Sequence, residues 1–87
     1  MIAAILTLLA PLSLACGGQD ETDRHYSAAF QLYRSGKTEE AIAEFDELIR
    51  LDPSDAVAYN DRGFAYRSLG QLRRAIEDYD VAIRLDP

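Results

Sequence analysis

Laying the chain against itself at an offset of 34 residues superposes Thr22–Pro53 on Ala56–Pro87. Phe30/Phe64, Gly36/Gly70, Ala41/Ala75, Ile42/Ile76, Asp46/Asp80 and the tract Ile49–Pro53/Ile83–Pro87 are then identical, while Phe45/Tyr79 and Ala29/Gly63 are conservative pairs. A fixed period of this length constrains the fold more than any composition does. It is the mark of a supersecondary unit that cannot bury its apolar flank alone and stacks on a copy of itself.

The unit is helical. Ala41, Ile42, Phe45, Leu48 and Ile49, and their counterparts Ala75, Ile76, Tyr79, Ala82 and Ile83, form one stripe of a 3.6-residue helix rather than the alternation of a strand. The pattern predicts four helices, at Asp23–Ser35, Glu39–Leu51, Asp55–Leu69 and Leu72–Leu85. Gly36 and Gly70 fall where the chain must leave a helix and reverse, through a left-handed conformation open to glycine. Asp52-Pro53 ends the second helix, because proline has no amide hydrogen and disfavours helix at the residue before it. Ser54 or Asp55 is then placed to cap the third. Ala29/Gly63 and Ala41/Ala75 are small where paired helices should cross most closely, and bulk there would force the axes apart.

At these positions the chain resembles the tetratricopeptide (TPR) repeat family. The second copy carries Tyr59, Gly63, Tyr66, Gly70, Ala75, Tyr79, Ala82 and Pro87 in the family's spacing. The first is looser, with His25, Leu32 and Leu48 at three of those places. The resemblance implies an all-α fold, an α-solenoid of two helix-turn-helix hairpins with four antiparallel helices, repeat 1 at 22–53 and repeat 2 at 54–87. It also implies a non-enzymatic protein–protein interaction scaffold whose first helix in each hairpin lines a concave groove for a peptide or partner helix. Carried over by position, that groove would present Tyr26, Phe30, Tyr33, Asn60, Phe64 and Arg67, with Asp23 and Val57 beside them. Chaperone-binding members grip a terminal carboxylate with Lys, Arg and Asn, but Tyr26, Phe30 and Asp61 occupy those places here, so that capture is not implied. Two repeats fall below the three or so that an array usually needs. The alternatives are therefore a fragment of a longer array, or a self-assembling module whose end faces pair with another protomer.

Charge and motifs narrow the remaining classes. All fifteen acidic and nine basic residues lie between Asp20 and Pro87, giving a net charge of −6 there, which opposes binding to a phosphate backbone. The single histidine, His25, sits at the repeat's aromatic slot and is read as a packing residue. No Cys/His spacing matches a metal site and no nucleophile–base constellation or phosphate loop occurs, so neither cofactor nor enzymatic activity is expected. Glu39-Glu40 and Arg73-Arg74 begin equivalent helices and would bias stacking in register only weakly, so a solvated charged face is the expected reading. Arg73/Glu77 and Arg74/Asp78 are spaced for solvated pairs along one helix.

Residues 1–19 carry no charged side chain, and Ile2–Ala15 is almost wholly apolar, too short for a comfortable membrane span and interrupted by Pro11. Residues 1–15 are read as a signal peptide. Ser13 and Ala15 precede Cys16, and the arrangement resembles the lipobox of bacterial lipoproteins, although Ser13 and Leu14 invert the usual order and the segment lacks Lys or Arg. The resemblance implies lipidation of Cys16, with residues 16–21 as a flexible tether and the module anchored at the bacterial cell envelope. Gly17, where aspartate would retain such a protein at the inner membrane, points to the outer membrane. A cleaved secretory signal with a free Cys16, leaving a soluble secreted or periplasmic module, is one alternative, and an uncleaved anchor or a misassigned start is the other.

Overall fold

The computed structural model describes residues 20–87, and all regular structure in that range is helical. Helix α1 occupies 20–34, α2 Thr38–Leu51, α3 Ala56–Ser68 and α4 Leu72–Leu85. The signal segment and Cys16 lie outside the described residues. Asp20 and Glu21, assigned above to a tether, are helical. Glu21 stands one turn before His25, with 4.0 Å between carboxylate and imidazole, a pairing that a helix makes at this spacing.

Both α1 and α3 end in the same way. Gly36 and Gly70 have φ of 83° and 78°. The Gly36 amide donates to the Tyr33 carbonyl and the Lys37 amide to that of Leu32, at 3.0 and 2.8 Å. The Gly70 and Gln71 amides repeat the pattern on Arg67 and Tyr66, both at 2.9 Å. These are Schellman closures, which satisfy carbonyls that a helix end would otherwise leave open. At the start of α3, Asp55 is the cap: its Oδ1 accepts from the Ala58 amide at 3.2 Å. Its Oδ2 accepts from the Tyr26 hydroxyl at 2.6 Å.

Helix α3 lies between α2 and α4. It can do so because it is thin on both sides. Ala58 and Ala65, fully buried, join Ala29, Ala41, Ile42, Phe45 and Leu48 in the core formed with α1 and α2. Toward α4 it shows Gly63, where a Cβ would come within 2.9 Å of the Tyr79 ring and 3.2 Å of the Ala75 carbonyl oxygen. The close crossing expected from the small residues is present.

A polar bond crosses all three helices. The Arg62 guanidinium on α3 donates from Nε and Nη2 to the two oxygens of Asp78 on α4, at 2.9 and 2.8 Å. Its Nη1 donates to Asp46 on α2 at 2.8 Å. The guanidinium carbon lies 5.6 and 5.9 Å from the ring centres of Tyr59 and Tyr66, close enough for cation–π attraction. The hydrogen bond to Asp78 raises the Arg62 pKa further above its already high value, against an opposing effect of burial.

This corrects the expectation of a solvated Arg74–Asp78 pair. Asp78 is only 5% exposed, because it follows Ala75 and precedes Ala82 on the flank of α4 that faces α3. Arg74 instead spans to Gln71 and lies 5.5 Å from the Tyr66 ring centre. Among the described residues no ion pair joins Glu39 or Glu40 to Arg73 or Arg74, nor Arg73 to Glu77. His25 is not a plain packing residue either. It is half-buried, with Nδ1 and Glu44 Oε2 hydrogen-bonded at 2.6 Å. Glu44 and Asp78 occupy equivalent repeat positions, so each hairpin ties this acid to a basic group on its first helix. The two repeats draw that group from different places.

Candidate functional site

Three aromatic residues and one acid meet at the surface between α1 and α3. The Tyr33 and Phe64 rings are 5.7 Å apart between centres and tilted by 52°. The Tyr33 hydroxyl is tied to Ser68 Oγ at 2.6 Å, which fixes the ring on α1 to the end of α3. Phe30, Tyr33, Asp61 and Phe64 surround a cavity of about 90 Å³ floored by Phe45 from α2. Phe30 and Phe64 remain 54% and 49% exposed, so their faces are available to a ligand. Aromatic rings held this way offer contact area at little further entropic cost.

Burial chiefly, with the Asp55 charge adding to it, raises the Asp61 pKa above the ordinary aspartate value, and a hydrogen bond to Asn60 partly offsets both. Among the described residues Asp61 has no ion-pair partner. An acid edged by aromatic faces attracts a cation by charge and by the ring quadrupoles together.

The six positions expected to line a groove divide. Phe30, Tyr33 and Phe64 are gathered at this cleft. Tyr26 is half-buried and its hydroxyl is held by Asp55. Burial first, and then the hydrogen bond to Asp55, push the Tyr26 pKa well above the usual phenol range. Asn60 opens instead on a broad groove of about 550 Å³ between α3 and α4, beside Val57, Tyr79 and Ile83. Arg67 is exposed near the end of α3, outside both cavities. Sequence reasoning registered Asp61 only as a mismatch to the carboxylate-gripping pattern. The available signal was its place one helical turn before Phe64's neighbour Ala65, on the turn of α3 that Phe64 shares.

Among the described residues no cluster of His, Cys, Asp and Glu is arranged to hold a metal ion. No described helix is long and apolar enough to cross a membrane.

Residues 31–67 match a family model described as TPR repeat. Residues 56–87 match one described as tetratricopeptide repeat. A search of curated proteins returns no match.

Proposed function

The chain belongs to the tetratricopeptide repeat family, and from that premise we propose that it is an adaptor that takes a basic side chain of a partner peptide or helix into the cleft between α1 and α3. Repeats of this family mediate protein–protein interaction and typically act as non-enzymatic scaffolds. The observation that carries the narrower reading is the half-buried Asp61 carboxylate, without a counter-charge and edged by Phe30, Tyr33 and Phe64. An arginine or lysine stem would cover the rings while its head reached the carboxylate. The net charge of −6 favours approach of such a partner.

Titration of a short extended peptide carrying one arginine, against the same peptide with citrulline, tests this. The arginine form is expected to bind more tightly, and Asp61→Asn to weaken it by about tenfold to a hundredfold, the worth of a hydrogen bond to a charged group. Protonated Asp61 offers no charge to a cation. Affinity should therefore fall as the pH drops through the raised Asp61 pKa, and hold above it. Equal binding of both peptides, or indifference to Asp61→Asn, removes the reading.

The adaptor is also proposed to sit at the bacterial envelope, facing the periplasm from the outer membrane, through acyl chains on Cys16. The support is the apolar run Ile2–Ala15 ending at that cysteine. Each buried methylene contributes about 0.8 kcal/mol, and two or more chains hold where one does not. Intact mass of membrane-extracted protein should show an acyl-sized excess that Cys16→Ser abolishes. An unchanged mass would remove anchoring through Cys16.

A further inference from the structure

The repeat contains its own control for what a covered helix looks like. Ile42 on α2 and Ile76 on α4 are the same residue at the same repeat position, yet Ile42 is 8% exposed and Ile76 59%. The difference is α3, which lies over α2, while nothing among the described residues lies over the matching face of α4. That face is a seam. Leu72, Ile76 and Ile83, together with Tyr79, whose ring is half-buried at the edge against Gly63 of α3, follow one another at intervals of four, three and four residues, the spacing of helices that interlock along a shared line. Leu72 and Ile83 are 59% and 62% exposed, and Val57 of α3 extends the patch.

Two arrangements of a second copy would cover it. In a head-to-tail stack, α1 of the next copy would lie on α4 as α3 lies on α2. The close contact of α3 depends on Ala58 and Ala65, and the equivalent residues of α1 are Arg24 and Gln31. Those side chains hold the helices apart. A two-fold arrangement meets no such obstacle. The flank of α4 turned away from α3 carries Arg73 and Asp80, both exposed and neither in an ion pair. Antiparallel pairing sets Leu72 against Ile83 and Ile76 against Tyr79, and brings Arg73 opposite Asp80 twice. Parallel pairing would instead turn Arg73 and Asp80 toward the partner's Ala75 and the partner's Ala82, which are already buried against α3, and would lose both charge pairs. Charges at such flanking positions decide orientation.

We infer that this protein forms an isologous dimer in which α4 packs antiparallel against α4 of a second copy. One patch serves both partners, as two-fold symmetry requires. The aromatic cleft, bounded by α1, α2 and α3, stays open in the dimer.

Sedimentation equilibrium of the full chain in density-matched detergent, which removes the apolar residues 2–15 from the association, tests this. A dimer population that rises with concentration is expected. Ile83→Glu should raise its dissociation constant about 30-fold, as loss of a central apolar contact does. Arg73→Asp and Asp80→Arg should each weaken it by about tenfold, and the double exchange should restore it to within about threefold. Far-UV circular dichroism guards against unfolding, and Ile76→Ser replaces Ile83→Glu if helicity falls. A chain that stays monomeric, as it would if a different helix covers this face, overturns the inference. So does an association indifferent to these substitutions, or one not rescued by the double exchange.

Discussion

Arg62→Leu is expected to abolish the cooperative unfolding transition, leaving a chain with little residual helicity at room temperature. The substitution strands the Asp78 carboxylate, 5% exposed, without its two hydrogen bonds or a counter-charge. Removing one member of a buried pair costs about 3–5 kcal/mol. A core of this size supplies roughly 3–5 kcal/mol in all. The loss therefore equals the reserve. Asp46 is the lesser partner, half exposed, and Asp46→Ala should cost about 0–1 kcal/mol. The double change Arg62→Leu with Asp78→Leu should recover most of the stability, since apolar residues of similar volume can replace a buried pair. Urea melts followed by circular dichroism read all three. An Arg62→Leu variant with the native midpoint would mean that the bond across α2, α3 and α4 does not hold them together.

Ile42→Ala and Ile76→Ala make the second contrast, with chemistry and repeat position held constant. Ile42 packs in the core, and its truncation should cost about 2–5 kcal/mol. Ile76 borders solvent in the single chain, and its truncation should stay within about 0.5 kcal/mol when measured at dilutions that keep the chain monomeric. Chemical denaturation of both variants reads the difference. Equal losses would mean that α4 is covered in the monomer by something other than a second copy.

The hairpins were legible because their determinants are local. An apolar stripe of helical period, a glycine at each reversal and Asp52-Pro53 between the copies all act within a few residues of themselves. What escaped the sequence was polar and non-local. Arg74 and Asp78 are correctly spaced for a pair on one helix, but Asp78 lies on the flank that α3 covers and is claimed by Arg62, sixteen residues away. The rotation of α4 about its axis decides between those partners, and no short-range pattern encodes it. The repeat slot of His25 likewise implies packing alone, whereas its bond to Glu44 depends on how α1 meets α2. The cleft was half legible. Phe30, Tyr33 and Phe64 follow from helix faces, but the environment that raises the Asp61 pKa exists only once α1 and α3 stand side by side.

The Asp55 carboxylate has two clients, the first turn of α3 and the phenol of Tyr26 on α1. The group that starts the second hairpin is thus also the group that receives the first. Fraying of either end withdraws a partner from the other, so an opening event that begins in one repeat propagates into its neighbour. Nearest-neighbour coupling of this sort makes a short array melt as a single unit rather than peel away hairpin by hairpin.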